Sequence, residues 1–441
     1  MVAMRCRFGF AHFHASAAVL PAAALFALTA LAAKHKPAAA PPVRATQPPT
    51  CTIPTGPLGF APPGEIYLGQ RYSLASLDFL DEDRLLFTFR VPGLFHRDPS
   101  GTSGDTERHI RAVVVHIPDG AVQSEALWTL HDYGRYVYML DSGQFALRDR
   151  DMLSIGDSSL KLKPWMHFPG PVLWMELDPT RQYVVTGSSE PASTASKSGD
   201  MPSPPSAQAP VSPIDDTTSC CKRSDTILRI FRRSSGEIML VSHVRTAVHI
   251  PMNGEGYLEP IHSRNASWLI DFDPFSGGGN SRAGAVDSTC TPRLDFVSPK
   301  EYVATACTSS GVQWLVAMTL DGRLLWQRSE SDTTAWPLLT VSPSGTRLVR
   351  ETLQVTHPVN AILPLNPDDI TRQEVAILDV ATGKEALRAQ ASPIYDTGGN
   401  VALSPSGRRA AILMEGGIQI FDLPDLPPIQ TPKPDDSKHK K

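Results

Sequence analysis

Between Glu65 and Leu423, apolar and polar residues alternate in short runs, and almost no stretch carries helical periodicity. Alternation of this kind turns one side of a strand inward and the other outward, so it predicts an all-β chain. The runs are punctuated by two recurrent turns. The first is seen in Leu339-Thr-Val-Ser-Pro-Ser-Gly-Thr-Arg347 and again in Val401-Ala-Leu-Ser-Pro-Ser-Gly-Arg-Arg409. Proline presets φ at the first central position and glycine accepts the positive φ that closes the turn. Weaker copies are Leu294-Asp-Phe-Val-Ser-Pro, Trp174-Met-Glu-Leu-Asp-Pro and Leu77-Asp-Phe-Leu-Asp-Glu. The second turn occurs at Pro118-Asp119-Gly120, Ser235-Gly236, Asp321-Gly322 and Thr382-Gly383, each between two apolar runs.

One unit is therefore strand a, turn, strand b, link, strand c, turn, strand d, which is a four-stranded propeller blade. Ser298 and Ser342 stand about 44 residues apart, a normal blade repeat. Blades are expected to start near Leu77, Tyr136, Leu173, Tyr257, Leu294, Leu338 and Val401, the fourth being the least marked. The predicted fold is a β-propeller of seven blades, with six or eight as alternatives. The last blade runs out after its third strand near Leu423, and Glu65–Gly69 is expected to close the ring as its outer strand.

The ends read differently. Arg5 and Arg7 precede an apolar stretch from Ala15 to Ala33, and Ala30-Leu31-Ala32 offers a peptidase site, so residues 1–33 read as a signal peptide cleaved after Ala32 or Ala33. An uncleaved anchor is the alternative, against which Pro21 interrupts the run. Residues 34–64 read as a Pro/Ala-rich linker, 65–423 as the propeller and 424–441 as a disordered tail. The chain is thus expected in the periplasm or secreted, with no membrane span in its mature part. Of six cysteines, Cys6 leaves with the signal, and Cys290 and Cys307 are the best disulfide pair, flanking a predicted hairpin. Cys51, Cys220 and Cys221 have no evident role. A net charge of -4 carries no basic field, which argues against nucleic acid as a partner.

Three insertions occupy one place in the repeat, between strands b and c: Pro92–His109, Glu190–Asp225 and Gln354–Arg372. In a propeller the b–c and d–a links open on the same rim, which makes that rim a candidate interaction face, although such loops also simply tolerate insertion. Glu190–Asp225 is rich in Ser, Pro, Ala and Thr and is expected to be disordered. Pro92–His109 is charged, and His96, Arg97, Asp98, Arg108 and His109 are its candidate ligand contacts; a solvated charged loop is the plainer reading.

The Ser-Pro-Ser-Gly-x-Arg turn and the Asp-x-x-Thr-Gly-Lys turn (Asp379 to Lys384) resemble those of bacterial WD40-like and quinoprotein-like propellers. The resemblance spans Glu65 to Leu423 and implies the fold, not an activity. The Gly-His and Trp-Asp signatures of WD40 repeats are absent. Val380-Ala-Thr-Gly-Lys-Glu-Ala-Leu387 is similar to the repeat of quinone-dependent dehydrogenases, with Leu387 in place of tryptophan, but no calcium set of Glu, Asn and Asp is recognisable. No Gly-x-Ser-x-Gly, His-Glu-x-x-His or Cys-x-x-Cys-His motif occurs. Asp81, Asp83, Asp271 and Asp273 read as turn formers rather than a glycosidase pair. Trp128, Trp174, Trp268, Trp314 and Trp326 are expected between blades, and His116, His243 and His249 as ordinary core or surface residues. No cofactor and no metal are implied. The expected function is a non-enzymatic binding or scaffolding protein for a protein, peptide or glycan; a quinone-dependent dehydrogenase or glycan-acting hydrolase is the alternative.

Overall fold

The computed structural model describes residues 45–62, 75–91, 107–131, 134–190, 225–244, 248–263, 267–308, 312–359, 365–395 and 398–426. All belong to one compact unit, Ala39–Lys441. They form seven antiparallel sheets, six with four strands and one with three, that follow one another along the chain as the blades of a β-propeller. No α-helix occurs among the described residues, and none there is long and apolar enough to cross a membrane.

The innermost strands are Ala75–Phe79, Val137–Met139, Val172–Leu177, Arg293–Ser298, Thr334–Val341 and Val401–Leu403, in blades one, two, three, five, six and seven. Six of the predicted starts therefore mark an innermost strand. Blade four differs. Its three regular strands, Gly256–His262, Ser267–Pro274 and Ser281–Asp287, are the second to fourth of the blade. The inner place belongs to His249–Asn253, tied by the Met252–Tyr257 bridge and by Leu258 N–H donating to Pro251 O at 2.8 Å. Pro251 has no N–H to give a ladder, which broke the alternation and hid this strand.

The a–b turns share one device. An oxygen-bearing side chain at the first turn position accepts backbone N–H groups that the tight bend leaves unpaired. Ser342 Oγ accepts from Thr346 at 3.2 Å and Arg347 at 3.1 Å. Asp81 does so for Asp83 and Arg84, Asn253 for Glu255 and Gly256. Asp271 and Asp273, by contrast, are not turn residues: both lie on the strand Ser267–Pro274, where Asp271 holds Arg282 and Asn280, and Asp273 accepts from the Tyr257 hydroxyl.

Both faces of every blade pack on a neighbour, so the core is a ring of interblade layers rather than one centre. Leu86, Ile110 and Val114 of blade one meet Val137, Phe145 and Leu147 of blade two; Val349, Val375 and Ile377 of blade six meet Leu403, Ile412 and Phe421 of blade seven. Trp128 stacks near Phe145 across the first of these layers, ring centres 5.7 Å apart. Trp326 of blade five donates its indole N–H to Val380 O of blade six at 2.7 Å. Its ring fills the space over Gly383, where a Cβ would stand 2.6 Å from Trp326 Cδ2, and φ there is +66°. Glycine is required by both facts.

The ring is closed by an N-terminal strand, but not the expected one. Cys51–Pro54 pairs with the last strand, Gly417–Asp422, in the register Cys51 to Ile420 through Pro54 to Gly417. Ile53, 2% exposed, enters the layer between blades seven and one. Glu65–Gly69 lies outside the described residues. Pro48, Pro49 and Pro54 leave only four residues of alternation here, Thr50 to Ile53, too short a run between prolines to stand out as a strand, yet proline is tolerated on an edge. The segment expected to be linker thus supplies part of the seventh blade. Upstream, Thr46 bonds to Arg388 of blade six, N–H to O at 3.0 Å. Cys290 and Cys307 form a disulfide, 17 residues apart. Cys51 is free and half-buried; Cys220 and Cys221 lie outside the described residues.

Candidate functional site

Two features define the candidate site: the feet of the three insertions, at one end of the propeller, and a central cavity. Each insertion leaves from the end of a second strand and returns at the start of a third. Strand Arg84–Arg90 pairs with Arg108–His116 up to Arg90 and Ile110, and Val91 N–H then bonds His109 O at 2.9 Å. Tyr183–Glu190 pairs with Asp225–Arg232 up to Glu190 and Asp225. Arg347–Val355 pairs with Ile370–Asp379 up to Val355 and Ile370.

Polar and charged pairs hold these feet. Beside the first, His131 stands 3.5 Å from Glu107 and 3.1 Å from Asp149 of blade two. At the second, Arg229 grips Glu190, whose carboxyl is held below its ordinary range chiefly by that bond. At the third, His357 lies 3.0 Å from Asp369, and Val355, Ile370, Val359 and Leu365 make a small apolar cap. The expected contact residues divide accordingly. His96, Arg97 and Asp98 lie outside the described residues. Arg108 and His109 are strand residues, opposite Leu130 and Thr129, and Arg108 is buried. They belong to the base of the loop rather than its tip.

The cavity, about 490 Å³, runs along the propeller axis and is lined from all seven blades. Arg135 and Gly398–Gly399, in links that lead into innermost strands, and His249, at the start of the inner segment of blade four, stand at the insertion end; Asp178–Arg181 and Ser342–Pro343, in a–b turns, stand at the other. A volume of this size suits a small ligand. Its wall is charged. His249 is clamped between Glu176 of blade three, Nδ1 to Oε2 at 2.9 Å, and Asp295 of blade five, Nε2 to Oδ1 at 3.2 Å. Burial alone would favour its neutral form, but the two carboxylates outweigh burial and hold its proton up to about 10. Asp295 is correspondingly held low: burial opposes, and His249 and Arg293 prevail. Arg181, with φ +59°, reaches Met139 O from the far turn; burial lowers it to about 10.

On the opposite side stand Asp78 of blade one and Glu351 of blade six, both buried. Asp78 accepts from Ser76 at 2.5 Å and lies 3.9 Å from Arg135, which rests 5.0 Å above the Tyr138 ring. Burial raises Asp78, and it raises Glu351 to about 7, with Gln373 and Arg135 offsetting only part. None of these wall residues was singled out as a site from the sequence. The signal was present: three copies of the first turn carry an acid in the strand before it, Asp78, Glu176 and Asp295. The innermost strands line the axis, so an acid repeated on them brings charge to the cavity wall.

No protein-family model and no curated protein matches the chain. Among solved structures it is similar to the WD40 domain of coronin from Toxoplasma gondii, at 7% identity and TM-score 0.45 over 88% of each chain. It is similar to TolB from Acinetobacter baumannii, at 14% identity and TM-score 0.36 over 77% of this chain and 79% of that one. Hydrazine synthase from Kuenenia stuttgartiensis matches at 10% identity and TM-score 0.38, over 82% and 99%. At such identities and TM-scores these likenesses say nothing of activity, ligand or partner.

Proposed function

We propose that this is an exported, non-enzymatic propeller that binds or scaffolds a protein, peptide or glycan through the rim bearing the b–c insertions. The observation that supports it is the common placement of the three insertion feet, while the a–b turns at the other end are short and closed by their own side chains. A rigid ring presenting variable loops on one side is a frequent solution for recognition. Export rests on the character of residues 1–33; the compartment is periplasmic or extracellular.

The test is replacement of residues 92–106 by a short Gly-Ser link between Val91 and Glu107. Arg108 and His109 must stay, because they belong to the strand. Binding to peptide and glycan arrays is then compared with that of the intact chain. Loss of a bound species with an unchanged melting temperature is expected. Retention of every bound species would overturn the rim reading.

A further inference from the structure

Glu351 is a buried carboxyl of the cavity wall with no ion pair among the described residues, and unlike Asp178, which accepts three hydrogen bonds from Thr180 and Tyr183, it has a single donor. It sits on the second strand of blade six, Arg347–Val355, and is 3% exposed. Its Oε2 accepts from Gln373 Nε2 at 2.8 Å. Gln373 has nothing more to give: Nε2 also donates to Asn400 Oδ1 at 3.1 Å, and Oε1 accepts from Asn400 Nδ2 and Tyr395 N–H. Asn400 is fixed in turn by Pro393 O. The carboxylate is therefore held rigidly, and its Oε1 has no hydrogen-bond partner among the described residues.

The cations of the wall are committed elsewhere. His249 and Arg293 are locked on Glu176 and Asp295, Arg181 on Met139 O, and Arg135 lies toward Asp78 and Tyr138. A buried carboxylate without a cation is costly unless it is protonated or receives a donor. At Gly398, φ is +71°, and a Cβ would come within 3.4 Å of Glu351 Oε1 and of Leu338 Cδ1. The neighbouring wall, Leu338, Val401, Leu403 and Phe79, is apolar.

We infer that the central cavity is a second ligand site, separate from the rim, that takes a small organic amine with its ammonium on Glu351 Oε1 and its alkyl part along the Leu338–Leu403 wall. The ammonium supplies the donor and the positive charge that the fixed Gln373–Asn400 pair cannot. A divalent metal is less suited, since no group of three metal-ligating side chains occurs among the described residues.

Titration calorimetry on the intact protein tests this, with putrescine, cadaverine and free lysine as probes and calcium chloride as the competing arm. One site per chain is expected for at least one amine. Glu351→Gln should weaken it by about tenfold or more, the usual size of a lost charge-assisted bond, while replacement of residues 92–106 should leave it unchanged. The groups facing Glu351 are the amides of Gln373 and Asn400, which carry no titratable proton, and the Arg135 guanidinium. Binding to the wild type should therefore release a proton below pH 7, read from the dependence of heat on buffer ionisation, and this holds even if the variant fails to fold. Absence of amine binding at millimolar concentration, undiminished binding by the variant, binding without proton release at pH 6, or saturation by calcium in place of amines would each overturn the proposal.

Discussion

His249→Gln isolates the clamp that joins blades three, four and five around the axis. In the wild type the imidazolium touches Glu176 at 2.9 Å and Asp295 at 3.2 Å, with the His249 side chain 27% exposed. Glutamine keeps a donor and most of the volume but loses the charge, leaving two carboxylates facing one another. Breaking a buried pair costs about 3–5 kcal/mol. Partial exposure brings the expected loss here to about 2–3 kcal/mol near pH 6. The pH dependence is the sharper test. The folded state keeps this proton up to about 10, whereas the unfolded chain releases it near 6.5. The folded form binds more protons between those values, so the clamp's contribution is complete below pH 6.5 and is lost progressively as pH rises toward 10. On the acid side Asp295 is held low, so its contribution is present above its ordinary range and is lost as pH falls further. Urea unfolding of both proteins from pH 7 to 9 measures the difference, and other groups cancel in the subtraction. The gap should narrow steadily as pH rises. Parallel curves over that range would refute the assignment of a shared proton to this clamp.

Ile53→Ala should lower stability by about 2–5 kcal/mol, as for other large core truncations, although it alters a segment rich in proline near the N-terminus; a melt that moves by less than about 2 °C would mean the closing strand does not carry the ring. Replacing Cys290 and Cys307 together by serine should cost about 3 kcal/mol for the 17-residue separation they close. Dithiothreitol should lower the wild-type melting temperature to that of the double variant and leave the variant unmoved.

Blade count and most blade boundaries were legible because a propeller repeats local chemistry. Period-two runs define strands, and Ser-Pro-Ser-Gly or Asp-Gly turns define their ends, all within a few residues of chain. The place of the insertions was legible for the same reason: position within a repeat unit specifies the rim. Where proline broke the alternation, the reading slipped. Pro251 hid the inner strand of blade four, and Pro48, Pro49 and Pro54 disguised the strand Cys51–Pro54.

What the sequence by itself determined is thus the repeat, the all-β class and the rim that carries extra chain, since each follows from neighbours in sequence. Only the tertiary structure decided which early strand closes the ring, because Ile53 and Ile418 are brought together by the last turn of the circle and by no local pattern. It likewise decided the wall of the cavity. Asp78, Glu176, His249, Asp295 and Glu351 come from five different blades and meet only where those blades converge on the axis. Their charges are set there by burial and by partners far away in sequence, and Glu351 stands apart from the rest because the fold brings it an amide and no cation.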